Sequence, residues 1–214
     1  MYIKQPFLLD VLHVCEGIAM LAGVFKLNSL KNSYWKWFVY YLIYIVLYEN
    51  TSDYLNSNFN VSFRKYFALV QIPIEFIFFY WLYALKSLKN KPLFYLISFL
   101  YLFFYILEYN LSIYQFTFKS LNNTIGTLLL LVLVGLEFMK QIKSDSIVNF
   151  KQDKMFYINI GVILFYIGNM PFFGWYLSIL KFPEIWNTYY IYFLISNSIM
   201  YLLFAASFVW GKPK

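Results

Sequence analysis

The chain has 214 residues, 62% of them hydrophobic and 13% charged, with a formal net charge of +7. Soluble domains run at about 45–50% apolar and about 25% charged, so a soluble single-domain enzyme and a disordered chain are excluded. A disulfide-stapled module is excluded too, because Cys15 is the only cysteine.

What remains is an integral membrane protein. A helix crossing the hydrocarbon core needs roughly 20 mainly apolar residues, with a range of about 17–25. Seven runs meet that length, at 7–25, 37–54, 66–85, 93–113, 121–139, 155–180 and 188–210. The expected fold is therefore all-α, a single seven-helix transmembrane bundle. Lys4 alone precedes the first run and Lys26, Leu27 and Asn28 follow it, which is not the basic start and small-residue cleavage site of a signal peptide. The first helix is expected to stay.

Under seven spans, 12 of the 17 Lys and Arg fall on the side that holds the C-terminus. Basic residues concentrate in cytoplasmic loops, so the N-terminus is expected outside and the C-terminus inside, in the inner (cytoplasmic) membrane. The positive charge then faces anionic lipid, not nucleic acid. Tyr and Trp favour the headgroup zone. Tyr34, Trp35, Trp37 and Trp210 are expected at inner edges, with Trp175, Tyr176 and Trp186 at an outer edge.

Acids within the spans are the sharpest feature. An ionisable group at membrane depth costs about 2.5–3.5 kcal/mol on insertion scales. Asp10, Glu16, Glu49, Glu75, Glu108 and Glu137 lie within or at the ends of spans, and no Lys or Arg lies deep in any span. Asp10 and His13, and His13 and Glu16, are i,i+3 pairs and so neighbours on a helix surface. The expectation is an outward-opening acidic cleft bordered by the first four helices. Its candidate ligand- or proton-binding residues are Asp10, His13, Glu16, Gln71, Glu75, Glu108, Asn169 and Asn197, with Asn110 as a further polar neighbour. In one reading the cleft takes a cation, a protonated amine or a proton, with His13 titrating near neutrality. In the other, protonated acids hydrogen-bond between helices and glue the bundle. The second suits Glu49, Glu108 and Glu137, which water reaches at the span ends.

Helix breakers fall at Pro73, two residues before Glu75, and at Pro171 inside GNMPFFG (168–174). Such breaks border cavities in some transporters. Gly17, Ala19, Ala22 and Gly23 would let a partner helix approach the first one. No phosphate-binding loop, HExxH, CxxC or GxSxG is present. The seventh span lacks the Schiff-base lysine a retinal protein needs, and no Pro-Gln pair marks a sugar transporter of the SWEET type. No cofactor is expected. One His and no second Cys give little basis for a metal site.

The stretch SDSIVNFKQDKMFYINIGVILFYIGNMPFF (144–173) resembles a group of seven-helix membrane proteins common in Bacteroidota. Glu16 in the first helix, Glu137 at the end of the fifth, and Asn197 with Tyr201 in the seventh resemble it as well. The resemblance implies the seven-helix fold and carries no activity with it. Such proteins are often encoded near sensor histidine kinases, which implies a signalling association. The favoured expectation is a sensor or accessory signalling subunit whose 140–154 loop, KQIKSDSIVNFKQDK, is the docking surface for a cytoplasmic or membrane partner. A secondary transporter or proton-coupled carrier using Glu16 and Glu75 is the alternative, and an intramembrane enzyme the third.

Overall fold

The computed structural model describes residues 5–59, 67–111, 120–144 and 150–212, apart from the side chains of 52–59, 67–68, 109–111, 120, 176 and 177. Arg64, Lys65, Lys119, Asp145 and the Asp53, Asn110 and Tyr176 side chains lie outside this description, as does the middle of the 140–154 loop.

The described residues form seven long helices. They are α1 (Pro6–Lys26), α2 (Trp35–Phe59), α3 (Phe67–Gln71, Ile72–Tyr80 and Trp81–Ser87 run together), α4 (Lys91–Leu111), α5 (Ser120–Lys143), α6 (Lys154–Gly174) and α7 (Pro183–Trp210). Among the described residues, all except α2 contain a stretch long and apolar enough to cross a membrane, the make-up of a multi-pass membrane protein. α2 runs for 25 residues but carries ENTSD at 49–53. Local chemistry sets the ends. Pro183 starts α7 at a position where its missing N–H costs nothing, and the Asp153 carboxylate caps α6 by accepting from Met155 N. The sixth run is shorter than its apolar stretch suggests. α6 stops at Gly174 and a separate turn, Tyr176–Ile179, follows. Pro171 therefore sits in the last turn, its carbonyl accepting from Trp175 N, and introduces no mid-helix break.

Six helices close a ring in the order α1, α2, α3, α5, α6, α7, with α7 packed along both α6 and α1. The link between α2 and α3 is aromatic, with Tyr41 and Phe78 stacked at 4.1 Å. α4 lies outside the ring against α3 and α5, and its outer face (Tyr95, Leu96, Phe99, Phe103, Ile106) is exposed as a lipid-facing surface would be. Inside, Phe38, Phe79, Phe204 and Phe208 are all but fully buried and in ring contact: Phe38 lies 5.2 Å from Phe204 and 5.6 Å from Phe208, centroid to centroid.

Close approaches explain three small residues. A Cβ on Gly126 would stand 2.5 Å from the Phe76 ring, so this glycine lets α5 reach α3, where its carbonyl accepts from Tyr80 Oη at 2.9 Å. In α1, Ala19 is fully buried and Gly23 faces Val39 and Phe208, whereas Gly17 faces open space and serves no contact. Trp35 is 2% exposed and packed on Phe38, with the Lys154 ammonium over its ring at 5.9 Å. Trp37, Trp175 and Trp210 are exposed at the bundle ends.

Pro73 is accommodated in α3 by a specific partner. Lacking an N–H, it cannot bond the Leu69 carbonyl one turn earlier; Tyr105 Oη of α4 donates to that carbonyl at 2.9 Å instead. π-helical turns flank the Pro73 segment on both sides, at Phe67–Gln71 and Trp81–Ser87.

Candidate functional site

A cavity of about 340 Å³ opens within the ring, in the half of the bundle that holds the start of α1. Every ring helix contributes. α1 supplies Leu9, Leu12 and His13, α2 supplies Ile45 and Glu49, and α3 supplies Gln71, Glu75 and Phe76. Asn123 comes from α5, Phe165 and Tyr166 from α6, and Phe193, Asn197 and Tyr201 from α7. The expected border of α1 to α4 is corrected here: among the described residues α4 lines none of this cavity, because α3 and α5 stand between it and the interior.

The polar lining is rich in acceptors. Glu75, half-buried, accepts from the buried Tyr166 hydroxyl of α6. Glu49 stands on α2 near Glu16 and His13 of α1, and the three ligand-type atoms of this trio lie within 4.8 Å of one another. His13 is exposed, Glu49 half-buried and Glu16 only 3% exposed. Gln71 and Asn197 are more than nine-tenths buried, and among the described residues neither Gln71 Oε1 nor Asn197 Oδ1 has a hydrogen-bond donor. A buried acceptor left without a donor costs about 1–3 kcal/mol. The walls between these groups are ring faces: Phe76, Phe165, Phe172, Phe173 and Phe193.

Of the eight residues singled out by sequence, the structure brings His13, Gln71, Glu75 and Asn197 to the cavity wall, with Glu16 beside it through the trio. Three stand elsewhere. Asp10 is exposed and is not among the lining of this cavity, its i,i+3 spacing to His13 notwithstanding. Glu108 of α4 reaches across to the start of α5, accepting from Leu121 N at 3.2 Å and Asn122 N at 2.9 Å, where it satisfies donors that a helix N-terminus leaves open. Asn169 is an inter-helix tie, its amide donating to Ser196 Oγ of α7 at 2.9 Å and to the Phe165 carbonyl at 2.7 Å. Glu137 is likewise structural. It pairs with Lys140, whose ammonium also donates to Ser87 O and Oγ of α3.

Glu49, Tyr166 and Tyr201 are cavity residues the sequence reading did not select. Glu49 looked end-positioned and wetted, and the signal that could have found it was its place seven residues past Leu42 on the face of α2 that also buries Phe38 and Ile45. Tyr166 had no signal in a chain with 22 tyrosines, and Tyr201 had only its place four residues after Asn197.

No protein-family model, curated protein or solved structure matches the chain.

Proposed function

We propose that the chain is a sensor or accessory signalling subunit that holds a small organic ammonium ion in this cavity. One observation carries the reading: two carboxylates, Glu49 and Glu75, and two buried amide oxygens without donors face a single space walled by phenyl rings. Such a space suits an occupant with several N–H donors, a positive charge and an apolar body. The acceptors take the N–H groups, the carboxylates the charge, and the ring faces the cation and its hydrocarbon. The volume fits a small molecule better than a bare ion.

The lysine distribution supports a seven-span topology that counts α2 as a crossing. Lysines cluster at the ends where α1, α3, α5 and α7 finish, and at the opposite end Lys181 is the single one among the described residues. By the positive-inside rule the C-terminus is then cytoplasmic, the N-terminus outside, and the cavity mouth outward in an inner membrane. The 140–154 loop, from Lys140 to Lys154, lies on the cytoplasmic side as the docking surface for a partner, and the Bacteroidota resemblance supports a signalling role. Between the cavity and the lysine-rich end the bundle is filled by Phe38, Phe79, Phe204 and Phe208, which favours a ligand-reading receptor over an open pore.

A carrier is the second reading, favoured by the Pro73 break and π turns beside Glu75, where α3 can change pitch. Thermal melting in nanodiscs with phenylethylammonium, phenylethanol or Zn²⁺, paired with phenylethylammonium flux into proteoliposomes, tests both. The receptor reading expects a rise of about 5–10 °C at saturating ammonium, none with the alcohol, and no flux. Flux abolished by Glu75→Gln would establish the carrier instead. Equal shifts from the ammonium and the alcohol, or a shift from Zn²⁺ alone, would overturn the organic-cation reading.

A further inference from the structure

A second cavity, of about 250 Å³, lies at the lysine-rich end, remote from the acidic one. Three ammonium-bearing side chains line it, Lys26 from the end of α1, Lys154 from the start of α6 and Lys212 after α7, and no carboxylate is among its lining residues. Lys154 is 2% exposed, an extreme value for a lysine. Its ammonium donates to the Ser207 carbonyl at 2.9 Å and faces the Phe208 and Trp35 rings at 5.1 and 5.9 Å. Among the described residues it has no ion pair. The adjacent Asp153 turns its carboxylate to Met155 N as the cap of α6.

The backbone is shaped around this side chain. A Cβ on Gly211 would stand 2.4 Å from Lys154 Cγ, so glycine is what allows the chain leaving α7 to cross over the lysine stem. The contact with Ser207 O, which also accepts from Gly211 N at 3.1 Å, uses one of the three N–H donors of the ammonium. It gives no reason for Lys26 and Lys212 to border the same space. Three like charges bordering one small volume repel, and an anion between them relieves that repulsion.

We propose that this cavity is a phosphate-binding site, with Lys154 as the buried anchor and Lys26 and Lys212 as the outer clamp. A phosphodiester or phosphomonoester supplies acceptor oxygens and negative charge to match three lysines that border one space. An anionic phospholipid headgroup and a free phosphorylated molecule present the same chemistry, and the basic end of a helix bundle is where such headgroups are held.

The test reconstitutes the full chain in phosphatidylcholine nanodiscs, with and without phosphatidylglycerol, and measures thermal stability and retained lipid by native mass spectrometry. A parallel arm adds inorganic phosphate to the phosphatidylcholine discs. Wild type should retain phosphatidylglycerol and melt higher with it. Lys26→Gln/Lys212→Gln should lose about fivefold in retention per lysine removed, while Lys31→Gln/Lys89→Gln, which removes equal charge off the cavity, should lose less than about twofold. Stabilisation by inorganic phosphate in the wild type, absent in the Lys26/Lys212 variant, assigns the site to a free anion; stabilisation by phosphatidylglycerol alone assigns it to lipid. Equal losses in the two double variants, or no response to either anion, overturn the proposal. Because Lys26 and Lys212 are exposed, their variant stays folded even where Lys154→Gln does not.

Discussion

At the scale of single residues, acids of one chemical type divide into separate roles according to what surrounds them. Glu137 has Lys140 and Glu108 has the open amides of α5, so each is spent on structure. Glu75 and Glu49 face the cavity. Glu108→Ala is expected to lower stability by about 1 kcal/mol, the cost of losing a helix cap, and to leave ammonium affinity unchanged; melting and titration of the same sample separate the two. A drop in affinity as large as that of Glu75→Gln would show that the helix cap also governs the cavity. Asn197→Leu is expected to behave in the reverse manner. It removes an acceptor that has no donor, so stability holds or rises while ammonium binding weakens, and a loss of stability without any binding change would contradict the assignment.

Elements meet in this bundle through a few specific contacts, and two of them are directly testable. Gly126→Ala places a methyl against the Phe76 ring and should cost about 1–3 kcal/mol, as overpacking does, read as a lower melting temperature. Tyr105→Phe strips the hydroxyl from the Leu69 carbonyl that Pro73 cannot serve and should cost about 1 kcal/mol. In a Pro73→Ala background the same change should cost less, since alanine restores an N–H to α3; equal costs in both backgrounds would show that the tyrosine answers some other need. Helix number and placement were legible in the sequence because apolar length is a local property, and observed ends lie within a few residues of the expected ones for most spans. The end of α6 was not, because a run of Phe, Trp, Tyr and Leu stays apolar after the helix stops at Gly174. Nor was the position of α4 outside the ring. Which helices are neighbours depends on contacts such as Gly126 with Phe76, and these carry no periodic signature.

Over the described residues, the acceptor-lined cavity lies at one end and most lysines at the other, where Glu137 and Asp153 serve as ion-pair and cap, with aromatic packing between. Half of the candidate site could be read from sequence, since depth along a helix follows from residue count. Orientation about the helix axis decided the rest, turning Asp10 outward and Glu16 inward on the same helix. The account of the cavity stands on charge recognition, and calorimetric titration of phenylethylammonium into nanodisc-embedded wild type and Glu75→Gln at one pH reads it most directly. It predicts saturable 1:1 binding to the wild type and an affinity about 10- to 100-fold lower in the variant, the worth of a charge-assisted hydrogen bond in a desolvated site. Equal affinities in the two proteins, with both folded, would contradict it.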